Sequence, residues 1–270
     1  MNKILVPVDF SECSENALKI SATIANAQIT VLRKIGLSEA VFTKDENQEF
    51  IEAQYYMKLA KKHFDSFLDK PYLKGLKIET MVQNYKIFSE INEIVKSHEI
   101  DLVIMGSHGL SGVKNLFVGS NTEKVVRTSE FPVLVIKENI PDFTIEKIVM
   151  AWHYKDEKVS SYRKAKAFAD IFKAKLYLVY VNLPTNDFLS TNEIEERTSI
   201  FMQNYGDNID VGIYDDYSVE DGLIHYAEKI NADVIAVPTH GRKGLSHFFL
   251  GSTGESLANN SNLPVLTFKI

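Results

Sequence analysis

Residues 101–134, DLVIMGSHGLSGVKNLFVGSNTEKVVRTSEFPVL, have a counterpart 132 positions further on in residues 233–266, DVIAVPTHGRKGLSHFFLGSTGESLANNSNLPVL. Twelve paired positions in this window are identical, whereas chance would give about two. Both copies begin with an apolar run, continue through a glycine-containing segment and end in Pro-Val-Leu. Self-similarity at one fixed spacing is the signature of a duplicated structural unit.

The starts of the two copies also correspond. Residues 3–9, KILVPVD, match residues 147–153, KIVMAWH, at a spacing of 144, so the second copy is 12 residues shorter before its glycine segment. Pro141 and neighbouring polar residues interrupt the pattern between the copies. We therefore predict two domains, residues 1–140 and residues 145–270.

Each copy alternates short apolar runs with helical patterns. Residues 4–8 read as a strand, and Ser11 can cap the helix that follows. Residues 46–68 read as a long helix, for which the inner face is assigned to Phe50, Tyr56, Leu59 and Phe64. Continuous apolar strands separated by helices indicate an α/β fold. The prediction is two tandem open parallel sheets with helices on both faces.

Composition excludes several classes of protein. The chain has 270 residues, 45% of them hydrophobic, with 30 basic and 36 acidic side chains and a net charge of −6. That balance argues against a nucleic-acid binder. The single cysteine, Cys13, excludes an intrachain disulfide and a cysteine-cluster metal site. We therefore expect no metal site from the protein alone. We also expect no membrane contact and a cytoplasmic location, because neither a signal peptide nor a membrane span is visible.

Two loops at predicted strand ends carry the chemistry. Asp9 follows the first strand, and residues 106–109 are joined by nine residues to Gly119, where a helix opens. A helix N-terminus favours an anion, and glycines let the backbone approach phosphate. Asp9 suits a ribose hydroxyl or a metal-bound water, so together these groups indicate a nucleotide site. The alternative is that the glycines only form turns and the hydroxyls only cap helices.

This motif resembles that of the universal stress protein family. The features shared with the family are Val8-Asp9-x-Ser11 after the first strand, G-x2-G-x9-G-[ST] beginning at Gly106, and a closing Pro-Val-Leu-Val. The resemblance covers nearly the whole chain as a tandem pair. It implies a five-stranded, Rossmann-like parallel sheet in each domain and, in many members, binding of ATP or AMP in regulatory roles.

The resemblance assigns ten residues of the first copy to the nucleotide. The residues that would line adenine and ribose are Pro7, Val8 and Asp9, and those beside the sugar are Met105 and Gly106. The residues that would hold the phosphates are Gly109, Gly119, Ser120, Asn121 and Thr122. Magnesium bound with ATP would lie near Asp9.

The second copy departs from the motif. His153 stands where the first copy has Asp9, Pro238 stands in place of Gly106, and Gly254 stands in place of Thr122. Proline lacks an N–H and cannot adopt the positive φ of glycine. For the second copy we expect only a weak phosphate or anion site, formed by Gly241, Gly251, Ser252 and Thr253.

Three functions remain open at this stage. The leading one is a nucleotide-binding stress-response regulator that is not an enzyme, whose ligand acts as a signal to an unknown regulatory protein partner. The alternatives are a slow ATPase and an interaction or scaffold protein with no nucleotide. The last strands of the two copies, residues 131–136 and residues 263–268, are apolar, and we expect them to pair within the chain as a pseudo-dimer. Two chains could in addition associate as a homodimer.

Overall fold

The computed structural model describes most of the chain. Its described residues are 1, 3–24, 28–35, 46–84, 89–107, 120–152, 159–184, 188–205, 211–239 and 263–269. The chain divides into two compact units: unit 1, which ends at Phe143, and unit 2, which begins at Thr144. The domain ends proposed above, 140 and 145, stay predictions.

Unit 1 is built on a sheet of five parallel strands among its described residues. They are β1 (Lys3–Val8), β2 (Gln28–Ile35), β3 (Ile78–Asn84), β4 (Leu102–Gly106) and β5 (Val133–Ile136). Their spatial order is β3-β2-β1-β4-β5. Because β1 lies between β2 and β4, the chain changes its direction of winding at β1, and the crevice at such a point is where open α/β sheets bind ligands.

Four helices connect these strands in the described part of unit 1. They are α1 (Glu12–Ile24), α2 (Glu46–Leu68), α3 (Ser89–His98) and α4 (Ser120–Thr128), with a 3-10 turn at Pro71–Leu73. The predicted cap of α1 is confirmed, because the Ser14 amide donates to Ser11 Oγ at 3.2 Å. Helix α1 packs on β1, β4 and β5, and α2 packs on β2 and β3.

Unit 2 repeats this architecture. Its described strands are β6 (Lys147–Ala151), β7 (Lys175–Asn182), β8 (Val211–Asp215), β9 (Val234–Thr239) and β10 (Val265–Lys269). They are parallel and follow the order β10-β9-β6-β7-β8. Its described helices are α5 (Val159–Phe172), α6 (Thr191–Tyr205) and α7 (Val219–Ile230). The predicted fold class, two tandem α/β units with parallel sheets, is confirmed.

The central strands form the core of each unit. All residues of β4 and β5 are buried, and Ile4, Leu5 and Val6 of β1 have no exposed surface. Strands buried on both faces need apolar side chains at every position, which explains why these segments read as continuous runs instead of alternating ones.

The amino ends of the strands preserve the duplication in atomic detail. In unit 1 the amide of Lys3 donates to Asp101 Oδ2 at 3.1 Å, and in unit 2 the amide of Lys147 donates to Asp233 Oδ2 at 2.8 Å. Each lysine ammonium also donates to a carbonyl at the end of a helix, α3 or α7, at 2.9 and 2.8 Å. An ammonium at a helix C-terminus is favoured by the helix dipole.

The predicted inner face of α2 is wrong at one of its residues, Leu59. Phe64 is 3% exposed, as expected, but Leu59 is 36% exposed. The buried stripe passes through Ala60, Phe64 and Phe67, whose spacings of four and three keep them on one side of a helix. Leu59 lies five positions from Phe64, away from that side. The side chains of the other two residues assigned to the face, Phe50 and Tyr56, lie outside the described residues.

Candidate functional site

The carboxyl ends of β1 and β4 are neighbours in the sheet of unit 1. The two strands pair in parallel, with Ile4 opposite Leu102 and Leu5 opposite Val103. Their last residues, Pro7 and Val8 in β1 and Met105 and Gly106 in β4, therefore reach the same edge of the sheet, and Asp9 follows directly. The structure thus brings together the five residues that sequence analysis assigned to the base and sugar.

Asp9 begins the turn from β1 into α1. Its Oδ1 accepts hydrogen bonds from the amide of Ser11 at 3.1 Å and from the Ser11 hydroxyl at 2.5 Å. Ser11 in turn caps α1. Side-chain bonds to the backbone two residues on are typical of Asx turns, which fix the carboxylate relative to the chain. Asp9 is therefore held in a defined position at the strand end.

Phe10, the next residue, has left-handed backbone with φ of 67°. Its ring makes edge contacts with three rings of α2, His63, Phe64 and Phe67, at centroid distances of 5.2 to 5.5 Å. The Arg33 guanidinium lies 4.8 Å from the centre of the Phe10 ring. A cation over an aromatic face is attracted by the ring quadrupole. This cluster anchors the β1 end to α2.

Arg33 lies on β2, the strand that neighbours β1. In the register of β1 and β2 it is opposite Val8, and its Nη1 donates to the carbonyl of Val8 at 3.3 Å. Burial lowers the pKa of the Arg33 guanidinium, and the negative charge of Asp9 acts in the opposite direction. The ten residues assigned to the nucleotide from the sequence do not include Arg33 or Phe10. The available signal was the pair of cationic residues Arg33 and Lys34, which directly follows the apolar residues Val31 and Leu32.

Gly106 is required by close packing. A Cβ at this position would lie 2.8 Å from both the carbonyl carbon and the carbonyl oxygen of Cys13, the second residue of α1. Cys13 Sγ also donates to the carbonyl of Lys137 at 3.2 Å and lies 3.8 Å from Ser107 Oγ. Cys13 thus joins the start of α1 to the ends of β4 and β5.

The start of α4 is tied to the end of β4. The hydroxyl of Thr122, which is 4% exposed, donates to the carbonyl of Gly106 at 2.8 Å. Ser120 is the first residue of α4, and Asn121 is exposed. The Thr122 hydrogen is therefore used on Gly106. Backbone amides in the first turn of a helix have no partner within the helix, and they are groups that suit a phosphate.

Several predicted residues cannot be placed. Gly109 and Gly119 of the first copy lie outside the described residues, as does the side chain of Ser120. The same holds for the whole weak anion site predicted in the second copy, Gly241, Gly251, Ser252 and Thr253. Their assignment to a ligand stays a prediction.

The matching edge of unit 2 is filled by aromatic side chains. Trp152, which corresponds to Val8 at the spacing of 144, is 4% exposed. Its ring packs against Tyr162 of α5 and Phe201 of α6, at centroid distances of 6.2 and 4.7 Å. Pro238, which corresponds to Gly106, is paired with Phe268 in the sheet. At these two corresponding positions unit 2 therefore has larger residues, Trp152 and Pro238, than unit 1 has in Val8 and Gly106.

Comparison with known protein families identifies the family of this chain. A model of the universal stress protein family matches residues 1–137 and, a second time, residues 144–269. The chain belongs to the universal stress protein family. Its two matches make it a tandem member, as the internal repeat predicted.

Relatives agree with this assignment. Universal stress protein MJ0577 of Methanocaldococcus jannaschii is 32% identical over 159 residues, covering 50% of this chain and 94% of its own length. Universal stress protein YxiE of Bacillus subtilis is 30% identical over 146 residues, covering 50% of this chain and 99% of its own length. Both single-domain relatives thus correspond to about one copy of the repeat.

A solved structure matches the whole tandem universal stress protein. The crystal structure of a universal stress protein from Archaeoglobus fulgidus covers 99% of this chain and 96% of its own, with a TM-score of 0.61 and 22% sequence identity. At that identity the likeness supports the fold alone.

Two further properties of this universal stress protein concern the residues that the structure describes. Within that part of the chain, no group of three or more His, Cys, Asp or Glu side chains could hold a metal ion. None of the helices found there combines the length and the apolar character that crossing a membrane requires.

Proposed function

We propose that unit 1 binds an adenine nucleotide, ATP or AMP, and that the protein is a stress-response regulator rather than an enzyme. The observation that carries the proposal is the convergence of Asp9, Gly106 and the first turn of α4 on one edge of the sheet. Asp9 directly follows β1, Gly106 ends the adjacent parallel strand β4, and the Thr122 hydroxyl bonds to the Gly106 carbonyl at 2.8 Å. Edges of this kind are where open parallel sheets take ligands.

The chemistry of these groups suits the parts of a nucleotide. The Asp9 carboxylate can accept hydrogen bonds from ribose hydroxyls, as acidic residues do at other nucleotide-binding sheet edges. The backbone amides of the first turn of α4 offer donors and a partial positive charge for the phosphates. Gly106, which has no side chain, lets the start of α1 pack against the end of β4, beside the proposed position of the sugar.

Unit 2 is proposed to bind nucleotide weakly or not at all. Trp152, Tyr162 and Phe201 fill the end of β6, where the base would lie by analogy with unit 1. Pro238 has no amide hydrogen to donate at the position of Gly106. These differences favour an asymmetric protein with one nucleotide site per chain.

The ligand is proposed to act as a signal. Phosphoryl transfer needs a group that orients the attacking water and cations that stabilise the transition state, and the predicted site residues include only one ionisable side chain, Asp9. We therefore expect ATP turnover no faster than about once per minute, against roughly 1–100 per second for kinases. Rapid hydrolysis that Asp9→Ala abolishes would support the slow-ATPase alternative and contradict the signal role.

Calorimetric titration of the full chain tests the binding site. We expect about one ATP per chain, with binding abolished by Gly119→Val, because the added side chain would obstruct the phosphates. Gly251→Val is the matched control at the equivalent position of the second copy, and it should bind ATP like the parent. Equal loss in both variants, or a stoichiometry of two, would contradict the assignment to unit 1.

Four other expectations from the sequence stay predictions. These are a cytoplasmic location, magnesium bound with ATP near Asp9, a regulatory protein partner, and pairing of the last strands of the two copies.

A further inference from the structure

Arg33 contacts the end of β1 from the neighbouring strand. It lies opposite Val8 in the register of β1 and β2, and its Nη1 donates to the Val8 carbonyl at 3.3 Å. The same guanidinium lies 4.8 Å from the centre of the Phe10 ring. One side chain therefore contacts the residue before Asp9 and the residue after it.

The conformation of Phe10 needs such support. Its φ of 67° places a residue with a large side chain in the left-handed region, which is unfavourable for any residue that has a Cβ. Backbone of this kind persists where surrounding contacts hold it, and it is found preferentially at functional sites. Here the contacts are the ring cluster of α2, formed by His63, Phe64 and Phe67, and the Arg33 guanidinium.

The position of Asp9 depends on both neighbours. Asp9 lies between Val8 and Phe10, and its Oδ1 is bonded to the amide and hydroxyl of Ser11. If Phe10 returned to ordinary extended or helical backbone, the turn would rotate and the carboxylate would leave the edge of the sheet. The charge of Arg33 also attracts that of Asp9, since the two interact electrostatically across the turn.

We propose that Arg33 is a positioning residue of the nucleotide site in unit 1, holding Val8 and Phe10 so that Asp9 faces the nucleoside. This inference rests on the proposed function. Arg33 acts through Asp9 and not on the ligand, so its influence is confined to the nucleoside part. The phosphate part, at the start of α4, does not depend on it.

The experiment measures the affinities of the full chain for two probes, adenosine and inorganic triphosphate, alongside ATP. In Arg33→Met we expect adenosine and ATP to bind about tenfold more weakly, the effect of losing one charge-assisted contact, with triphosphate unchanged. Arg33→Lys should recover part of the affinity, because it keeps the charge but lacks the planar fork. Lys175→Met, which removes an ammonium 4.5 Å from the Tyr177 ring in unit 2, is the control and should bind like the parent.

A double-mutant cycle separates positioning from general destabilisation. Once Asp9→Asn has removed the carboxylate charge, adding Arg33→Met should change adenosine affinity less than twofold, because the pathway through Asp9 is already lost. Full additivity of the two substitutions would overturn the proposal, and so would unchanged adenosine affinity in Arg33→Met or equal loss of adenosine and triphosphate. If the parent binds none of the three probes, the proposed function itself fails, and this inference fails with it.

Discussion

The hydroxyl of Thr122 donates to the carbonyl of Gly106 over 2.8 Å, although the two residues are 16 positions apart. The bond joins the first turn of α4 to the last residue of β4, across the glycine segment that sequence analysis identified as the candidate phosphate loop. Both ends of that loop are thereby held together by a buried polar contact.

Removing this bond should destabilise the protein. Thr122→Val keeps the shape of the side chain but leaves the Gly106 carbonyl without this donor, which should lower the free energy of unfolding by about 1–3 kcal/mol. Thr128→Val is a matched control in the same helix, because Thr128 is exposed and its hydroxyl donates to the Lys124 carbonyl within α4 at 2.8 Å. Urea unfolding of both variants provides the measurement. Equal stability of the two variants would show that the Thr122 bond contributes no more to stability than the exposed Thr128 bond does.

Gly106→Ala should be destabilising because of crowding. The new Cβ would lie 2.8 Å from two backbone atoms of Cys13, so α1 would have to move, at a cost of about 1–3 kcal/mol. Thermal and chemical unfolding would measure the loss. Shortening the neighbouring side chain should give no rescue: the double variant Cys13→Ala/Gly106→Ala should be no more stable than Gly106→Ala, because Cys13→Ala also removes the hydrogen bond from the thiol to the Lys137 carbonyl. Recovery in the double variant would show that the thiol, and not the helix backbone, causes the crowding.

Lys137 should make stability rise with pH. Burial lowers the pKa of its ammonium from 10.5 to about 8, so between these values the unfolded chain binds a proton that the folded chain does not. Stability therefore increases as the pH rises through this range. Lys137→Met should abolish this increase and raise the unfolding free energy at neutral pH by roughly 1–3 kcal/mol.

Lys269→Met is the control for Lys137→Met. Lys269 is the equivalent residue of unit 2 at the spacing of 132, and it is exposed. Its replacement should leave both the stability and its pH dependence close to those of the parent. A pH profile that Lys137→Met does not change would contradict the role given to this ammonium.

His225 should contribute stability at low pH. A hydrogen bond from its Nδ1 to Asp216 Oδ2, at 2.7 Å, raises the pKa of the imidazole above its ordinary value of 6.5, with further help from the charges of Asp216, Glu228 and Asp221. The contribution is fully present below pH 6.5 and is lost as the pH rises through the raised pKa. Because the imidazole is exposed, the size of this contribution should stay below about 1 kcal/mol.

Comparison of the parent with His225→Gln tests this linkage. The loss of unfolding free energy should be larger at about pH 5.5 than at about pH 8.5, conditions on either side of the ordinary titration range of histidine. In an Asp216→Asn background, which lacks the carboxylate, the difference between the two losses should shrink, and the charges of Glu228 and Asp221 account for what is left of it. A loss that grows with pH would contradict the assignment of the charged imidazole as the stabilising form.

Much of the fold was accessible from local pattern. The apolar runs predicted the strands because a sheet buried on both faces needs them, and α2 was predicted over the residues it occupies, Glu46–Leu68. The cap at Ser11 followed from residue type and position. The inner face of α2 was less accessible, because which turn of a helix meets the sheet depends on how the helix is docked, and Leu59 was misplaced for that reason.

The sequence by itself determined the duplication, the fold class and the strand ends where Asp9 and Gly106 lie, because these follow from periodicity, residue type and spacing along the chain. Only the tertiary structure decided what those residues touch. Gly106 meets the backbone of Cys13, and Arg33 crosses from β2 to hold Phe10. Such contacts join segments far apart in the chain, so they depend on how helices and strands pack, and no local pattern records that packing.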